Sequence, residues 1–300
     1  MAGWAYRRSP SAGSGALAAG ALLAVLILAA PVGPVASAEY PLLIRDATGR
    51  AVRIPSPPRR IISLAPSVTE ILVALGLDRE LVGVTDADDY PPERVQTKAR
   101  VGGVVINVER VVALRPDLIV GVQSLQQDQL ARLGALRLPV LAVDAVSIDE
   151  TMQQIRLLGR ATGRGPEAER LAASLERRAQ AVRPGSPRTV YIEVWHEPVI
   201  AAGAGTLIDD LARRAGGVNI FGESRGYPQV AAERVVTRNP QVIFLLYHGR
   251  DQLLRRPGWG SISAIQVGLV HDLPASLVSR PGPRVVEGLV LVARLLQGSP

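Results

Sequence analysis

The chain has three histidines, His196, His248 and His271, and their spacing matches no metal-ligand motif such as H-E-x-x-H, so no protein-built metal site is expected. Cysteine is absent, which removes disulfides, thiolate metal sites, a Cys nucleophile and a lipid-modified N-terminal Cys. There is no G-x-S-x-G elbow, no P-loop and no complete G-x-G-x-x-G. No spacing supplies an activated nucleophile or a tuned acid–base pair, so no catalytic residue is assigned and the chain is not expected to be an enzyme. Gly203-Ala204-Gly205-Thr206, at a helix start, either offers backbone N–H groups to an anion or forms a tight turn. Asp86, Asp88 and Asp89 crowd one loop and read as a solvated surface. His196 and His248 each follow an apolar, strand-like run, Thr189–Trp195 and Val242–Tyr247, which places both at strand carboxyl ends, where open α/β sheets bind ligands.

The elements that must position these groups alternate. Ile61–Ala65 is an apolar run ending at Pro66, and Ser67-Val68-Thr69-Glu70 then has the S-x-x-E form of a helix capping box. The helix stops at Gly76, and Leu81–Val84 is a second apolar run, ending in the acidic loop Asp86–Tyr90. Glu109–Leu114 reads as a helix stopped before Pro116, Leu118–Val122 as a buried strand, Gln126–Leu136 as a helix and Val140–Val143 as a strand. Such alternation predicts a parallel sheet flanked by helices.

A second half repeats the plan. Thr189–Trp195 is a strand, Thr206-Leu207-Ile208-Asp209 caps a helix ending near Gly216-Gly217, and Val242–Tyr247 is another strand. Glu109–Ile119 superposes on Glu233–Ile243 with Glu, Arg, both Val, Pro and Ile identical. A generic helix, turn and strand unit explains the Pro and the apolar positions but not the repeated Glu-Arg. Between the halves, Ile148–Arg183 carries apolar residues at helical spacing, broken or kinked at Gly163–Pro166. The expected fold is α/β: two lobes, each with a mainly parallel sheet flanked by helices, with an N-terminal lobe at 39–147, a linking helix at 148–183 and a C-terminal lobe at 184–300. A helical connection limits how far two lobes can hinge.

Composition bounds the rest. The chain has 300 residues, 47% hydrophobic and 20% charged, which is globular. Arg7-Arg8, the apolar run Ala16–Ala30 and Ala36-Ser37-Ala38 have the layout of a secretory signal peptide, cleaved after Ala38 to release a soluble periplasmic or otherwise exported chain. Retention of residues 1–38 would instead make a membrane-anchored protein. The net charge of +7 is carried by scattered arginines, which suits a basic soluble protein better than a nucleic-acid binder.

Taken together, Arg60–Leu72, Asp89-Tyr90-Pro91-Pro92, Val108–Ile119 and Arg280-Pro281-Gly282-Pro283-Arg284 resemble the helical-backbone substrate-binding proteins of ABC importers for cobalamin, haem and ferric siderophores. The resemblance covers about residues 42–297, and Phe221–Arg225, Tyr227–Val230 and Glu233 are most similar to the cobalamin-binding branch. It implies a monomeric, bilobed receptor that holds a metal-chelate ligand in its cleft, most simply a cobalamin-like corrinoid, and passes it to a permease dimer with its ATPase. Haem or a ferric siderophore is the same-fold alternative; an anchored sensor or an exported enzyme is the alternative of another class. The chelate would be cargo, and no cofactor is implied. The resemblance also gives Glu109 and Glu233 a role, one docking carboxylate on each lobe for a two-fold partner; as helix-start carboxylates they would otherwise contribute about 0.3–1 kcal/mol each. Where cobalamin binders place cleft aromatics this chain has Ala87, Gly103 and Val122. The remaining cleft candidates are Tyr90, Trp195, His196, Tyr227, Tyr247, His248 and Arg280, aromatic faces with polar tips and one guanidinium. Tyr or His would also suit haem iron.

Overall fold

A computed structural model describes residues 40–298; the expected leader 1–38 and its cleavage point lie outside them. The chain opens with an antiparallel hairpin, β1 (Leu42–Arg45) and β2 (Ala51–Ile54). The alternating part follows as β3 (Ile61–Ser63), α1 (Pro66–Ala74), β4 (Leu81–Val84), α2 (Pro92–Val95), β5 (Ala99–Arg100), α3 (Val108–Ala113), β6 (Leu118–Val122), α4 (Gln123–Ala135) and β7 (Val140–Val143). These strands form one parallel sheet in the order β5-β4-β3-β6-β7. Strands β6 and β7 are buried along their whole length, which is why they read as unbroken apolar runs rather than alternating ones.

After α5 (Ile148–Ala161) and α6 (Gly165–Ala181) come β8 (Arg188–His196), β9 (Val199–Ala201), α7 (Leu207–Arg214), β10 (Gly217–Asn219), α8 (Ala232–Arg238), β11 (Val242–Leu245), α9 (Arg250–Leu254), α10 (Ser263–Gln266), β12 (Val270–Asp272), α11 (Ala275–Val278) and α12 (Val285–Leu296). The second sheet is β10-β8-β11-β12, parallel, with β9 antiparallel on β8. Both sheets therefore place their first strand centrally, their next long-helix strand on one side and the strand after the Glu-Arg helix on the other. The repeat read from Glu109–Ile119 and Glu233–Ile243 corresponds to α3–β6 and α8–β11, topologically equivalent pairs.

Two expectations change. The segment 148–183 is not one linking helix but two, α5 and α6, folded against each other. Gly163 takes φ +73° at the reversal, and Gly159 leaves room for the close approach, since a Cβ there would fall 2.2 Å from that of Ala168. Arg156 fastens the pair by bonding Glu169 (Nε–Oε2 2.8 Å) and Glu176 (Nη1–Oε1 2.7 Å). The S-x-x-E spacing, second, is not a capping box. Helix α1 starts at Pro66, its N-cap is Ala65, and no side chain caps it; the proline at its first position suits a helix start because it has no N–H to leave unpaired. Thr206, by contrast, does cap α7, accepting from the Asp209 N–H at 3.3 Å.

The halves share a core. One continuous apolar cluster runs from Ile61, Leu72 and Leu118 through Met152 and Ile155 of α5 to Ile192, Phe244, Val286 and Leu289, while each sheet carries a separate cluster on its other face. Interiors packed in this way resist relative rotation, because turning one sheet against the other would open voids along α5. The start of α5 is also tied to α7: the Ile148 N–H donates to Asp210 (3.0 Å) and Arg214 pairs with Asp149 (2.8 Å). Among the described residues no helix is long and apolar enough to cross a membrane.

Candidate functional site

The two halves meet through ion pairs beside the carboxyl ends of β3 and β4. Glu70 of α1 is buried, and it receives the Arg284 guanidinium on both oxygens (Nε–Oε2 2.9 Å, Nη2–Oε1 2.6 Å) and Arg280 at 3.3 Å. Arg280 also bonds Asp89 (Nη1–Oδ1 2.5 Å), and the Arg284 guanidinium lies 4.0 Å from the Tyr90 ring centroid. The hydrogen bond from Arg280 holds the Asp89 carboxyl below the usual carboxylate range. Asp88 behaves oppositely: it is buried, accepts from the Thr85 N–H (2.7 Å) and hydroxyl (2.6 Å), and burial pushes its carboxyl up. The acidic loop is thus not uniformly solvated, as its composition suggested: of its three aspartates Asp86 and Asp89 are exposed and Asp88 is buried.

A second cluster closes the C-terminal half. Trp195 and His196 end β8, Tyr247 follows β11, and their rings lie 5.0 Å (Trp195–His196), 5.4 Å (His196–Tyr247) and 6.3 Å (Trp195–Tyr247) apart. Beneath them Glu193, fully buried, is bonded by both Arg256 nitrogens (2.7 and 2.6 Å), by the Tyr191 hydroxyl (2.8 Å) and by the Tyr247 hydroxyl. Burial, and then the adjacent Glu193, pushes the Tyr247 hydroxyl well above the usual phenol range. His196 Nδ1 is buried without a partner.

The sequence candidates are therefore split into two groups. Tyr90 and Arg280 belong to the ion-pair cluster between the halves; Trp195, His196 and Tyr247 form the aromatic one. Tyr227 is exposed on the segment beside β9, where Gln229 bridges Ile200. The His248 side chain is almost wholly in solvent, 3.6 Å from Asp272, beside an open cavity of about 570 Å³ lined with Arg250, Gln252 and Arg255 and built from the C-terminal half alone. In the Gly203–Thr206 turn the Gly203 and Ala204 N–H groups are used internally, donating to the Gly226 and Ser224 carbonyls at 2.8 and 2.7 Å.

Sequence reasoning missed the aliphatic part of the surface. Val104 and Val105 follow β5, Leu125 lies in the first turn of α4 after β6, and Val146 follows β7; all are exposed, as are Tyr90 after β4, Trp195 near the end of β8 and Tyr227 after β10. Apart from Trp195, which is the penultimate residue of β8, each lies in the segment that follows the carboxyl end of a parallel strand, the end where α/β sheets hold ligands. The available signal was positional: valines and leucines placed where a loop begins rather than inside a strand. Chemically the arrangement offers apolar area with a few fixed polar groups, which is how a site holds a ligand of drug size or larger. Glu109 and Glu233 lie apart from it, each exposed, each the second residue of its helix (α3 and α8), and neither forms an ion pair among the described residues. Nor do the described residues bring together three His, Cys, Asp or Glu side chains that could hold a metal ion.

Residues 61–277 match the family described as periplasmic binding protein. An uncharacterized ABC transporter substrate-binding lipoprotein of Bacillus subtilis is 33% identical over 263 residues, covering 83% of each chain. A vitamin B12-binding protein of Vibrio cholerae is 31% identical over 250 residues, covering 81% of this chain and 91% of its own. Among solved structures, a periplasmic heme-binding protein from Roseiflexus sp. RS-1 superposes with a TM-score of 0.74 at 27% identity, covering 80% of this chain and 98% of its own. Two similarly wound parallel sheets, exposed apolar groups at their strand carboxyl ends and a match over most of the chain lead to one assignment: the chain belongs to the periplasmic binding protein family, the substrate-binding proteins of ABC importers.

Proposed function

We propose that the protein is exported, that it captures a cobalamin-like corrinoid between its two halves, and that it delivers the ligand to an ABC permease without transforming it. The observation that carries this reading is the row of exposed apolar side chains at the strand ends of both sheets: Tyr90, Val104, Val105, Leu125 and Val146 on one half, Trp195 and Tyr227 on the other. A corrin ring is broad and flat, with apolar edges and peripheral amides, and is held by area plus a few hydrogen bonds. The aliphatic group Val104, Val105 and Leu125 supplies area near Gly103 and Val122, where aromatics are lacking. Similarity to a vitamin B12-binding protein over most of both chains supports the same ligand class.

Glu109 and Glu233 would dock the loaded protein. They occupy equivalent places on equivalent helices, which suits a partner with two-fold symmetry, and their charge would give register and encounter rate more than affinity. A second reading, haem as the ligand, is favoured by the unpartnered His196 Nδ1 next to Trp195 and by similarity to a heme-binding protein.

Titration of purified residues 39–300 with cyanocobalamin and, separately, haemin tests both, by tryptophan quenching with correction for ligand absorption. Saturable quenching by cyanocobalamin at micromolar or lower concentration, about −8 kcal/mol or better, supports the corrinoid. Saturation by haemin alone, with a shifted Soret band, moves the ligand to haem; no saturation by either refutes both.

A further inference from the structure

Two carboxylates face Arg280, and they differ in what holds them. The Glu70 side chain is 3% exposed and is already matched by Arg284, which bonds both of its oxygens. The Asp89 side chain is 63% exposed, lies on the segment after β4, and has Arg280 as its one ion-pair partner among the described residues (Nη1–Oδ1 2.5 Å, Nη2–Oδ2 3.3 Å). Two guanidiniums and one buried carboxylate leave one positive charge over, and Asp89 neutralises it. An ion pair with so exposed a member is weak, and its carboxylate exchanges with water or another anion by a side-chain rotation. Arg280 cannot leave as easily: its side chain is 20% exposed, Glu70 anchors it, and its planar fork fits a carboxylate or a phosphate.

We propose that Asp89 is an internal competitor for an acidic group of the ligand. An incoming carboxylate or phosphodiester takes its place on Arg280, so the cleft favours chelates that carry an anionic oxygen group on the edge turned toward Arg280. The inference rests on the surface between the halves being the ligand site, and it names the class of ligand: an acid-bearing chelate rather than one decorated only with neutral amides. Asp89 is thereby a specificity residue, excluding neutral groups from Arg280 while yielding to charged ones.

Inorganic phosphate reads the site without any chelate. At constant ionic strength, with chloride as the comparison anion, phosphate should bind Asp89→Asn about fivefold more tightly than the parent, and the gain should vanish in Asp89→Asn/Arg280→Gln. Equal phosphate affinity in the parent and in Asp89→Asn overturns the proposal. Two pairs of chelates then separate phosphate from carboxylate: cyanocobalamin against dicyanocobinamide, which lacks the phosphodiester, and haemin against its dimethyl ester. Asp89→Asn should tighten the acid-bearing member of a bound pair and leave the other unchanged; an equal effect on both members overturns the proposal. If none of the four chelates binds while the phosphate gain persists, the corrinoid and haem readings fail and the competitor role of Asp89 stands.

Discussion

Arg284 and Glu70, far apart in sequence, form a two-point ion pair that joins the halves: the guanidinium of one half meets both oxygens of a carboxylate buried in the other, at 2.9 and 2.6 Å. Its burial makes the pair costly to break from one side. Glu70→Ala leaves Arg280 and Arg284 without their buried carboxylate and should lower the unfolding free energy by about 3–5 kcal/mol. The check is a denaturant midpoint with unchanged m-value; a midpoint within error of the parent would mean that the pair does not persist in solution.

The α5–α6 hairpin gives a pH signature. Hydrogen bonds from Arg156 hold the Glu169 and Glu176 carboxyls below the ordinary glutamate range. Groups lowered in the folded state contribute stability above their unfolded values and lose it as the pH falls through the folded ones. Arg156→Gln should therefore be less stable than the parent at neutral pH, and the two stability curves should converge below about pH 4. Parallel curves down to pH 3 would show that Arg156 acts by packing alone.

Tyr247 should not ionise in the folded protein across the range in which free tyrosines do. Burial and the Glu193 carboxylate both favour its neutral phenol, so ultraviolet titration should show fewer tyrosines ionising near pH 10 than after unfolding, and Tyr247→Phe should leave the folded titration unchanged. By the same argument Tyr247 is a poor phenolate ligand for ferric iron: if haemin binds, its visible spectrum should survive Tyr247→Phe. Loss of a tyrosinate band in that variant would refute this.

Glu109 and Glu233 project from equivalent helices and touch neither residue cluster of the site. Glu109→Ala/Glu233→Ala should leave cyanocobalamin affinity within about twofold of the parent, as expected for surface substitutions away from the site, while permease-dependent uptake falls sharply. Loss of affinity in the purified double variant, or uptake at the parental rate, would remove the docking role.

Local structure was legible where chemistry and periodicity agree. The run Leu118–Val122 became β6 unchanged, and the repeated Glu-Arg marked the equivalence of α3 and α8, because a short helix, a proline and a buried strand are set by neighbouring residues. What stayed hidden depends on distant partners. Glu70 resembled a capping residue, yet Pro66 starts the helix and the carboxylate turns to Arg280 and Arg284, a pairing that no local pattern encodes. The break at Gly163 was visible, but the folding back of α6 onto α5 follows from the Gly159–Ala168 contact across the turn. The sequence offers Arg280 as a ligand contact, but its pairing with Glu70 and Asp89 joins residues about 200 positions apart and leaves no local trace.

Hydrogen exchange of residues 39–300, with and without saturating cyanocobalamin, reports directly whether the ligand sits between the two halves. Capture between the sheets predicts slowed exchange on both halves, in the segments after β4 and β5 (85–90 and 102–106) and in those after β8 and β11 (195–198 and 246–249), with β1–β2 unchanged. No saturable binding, or protection confined to one half, would contradict it.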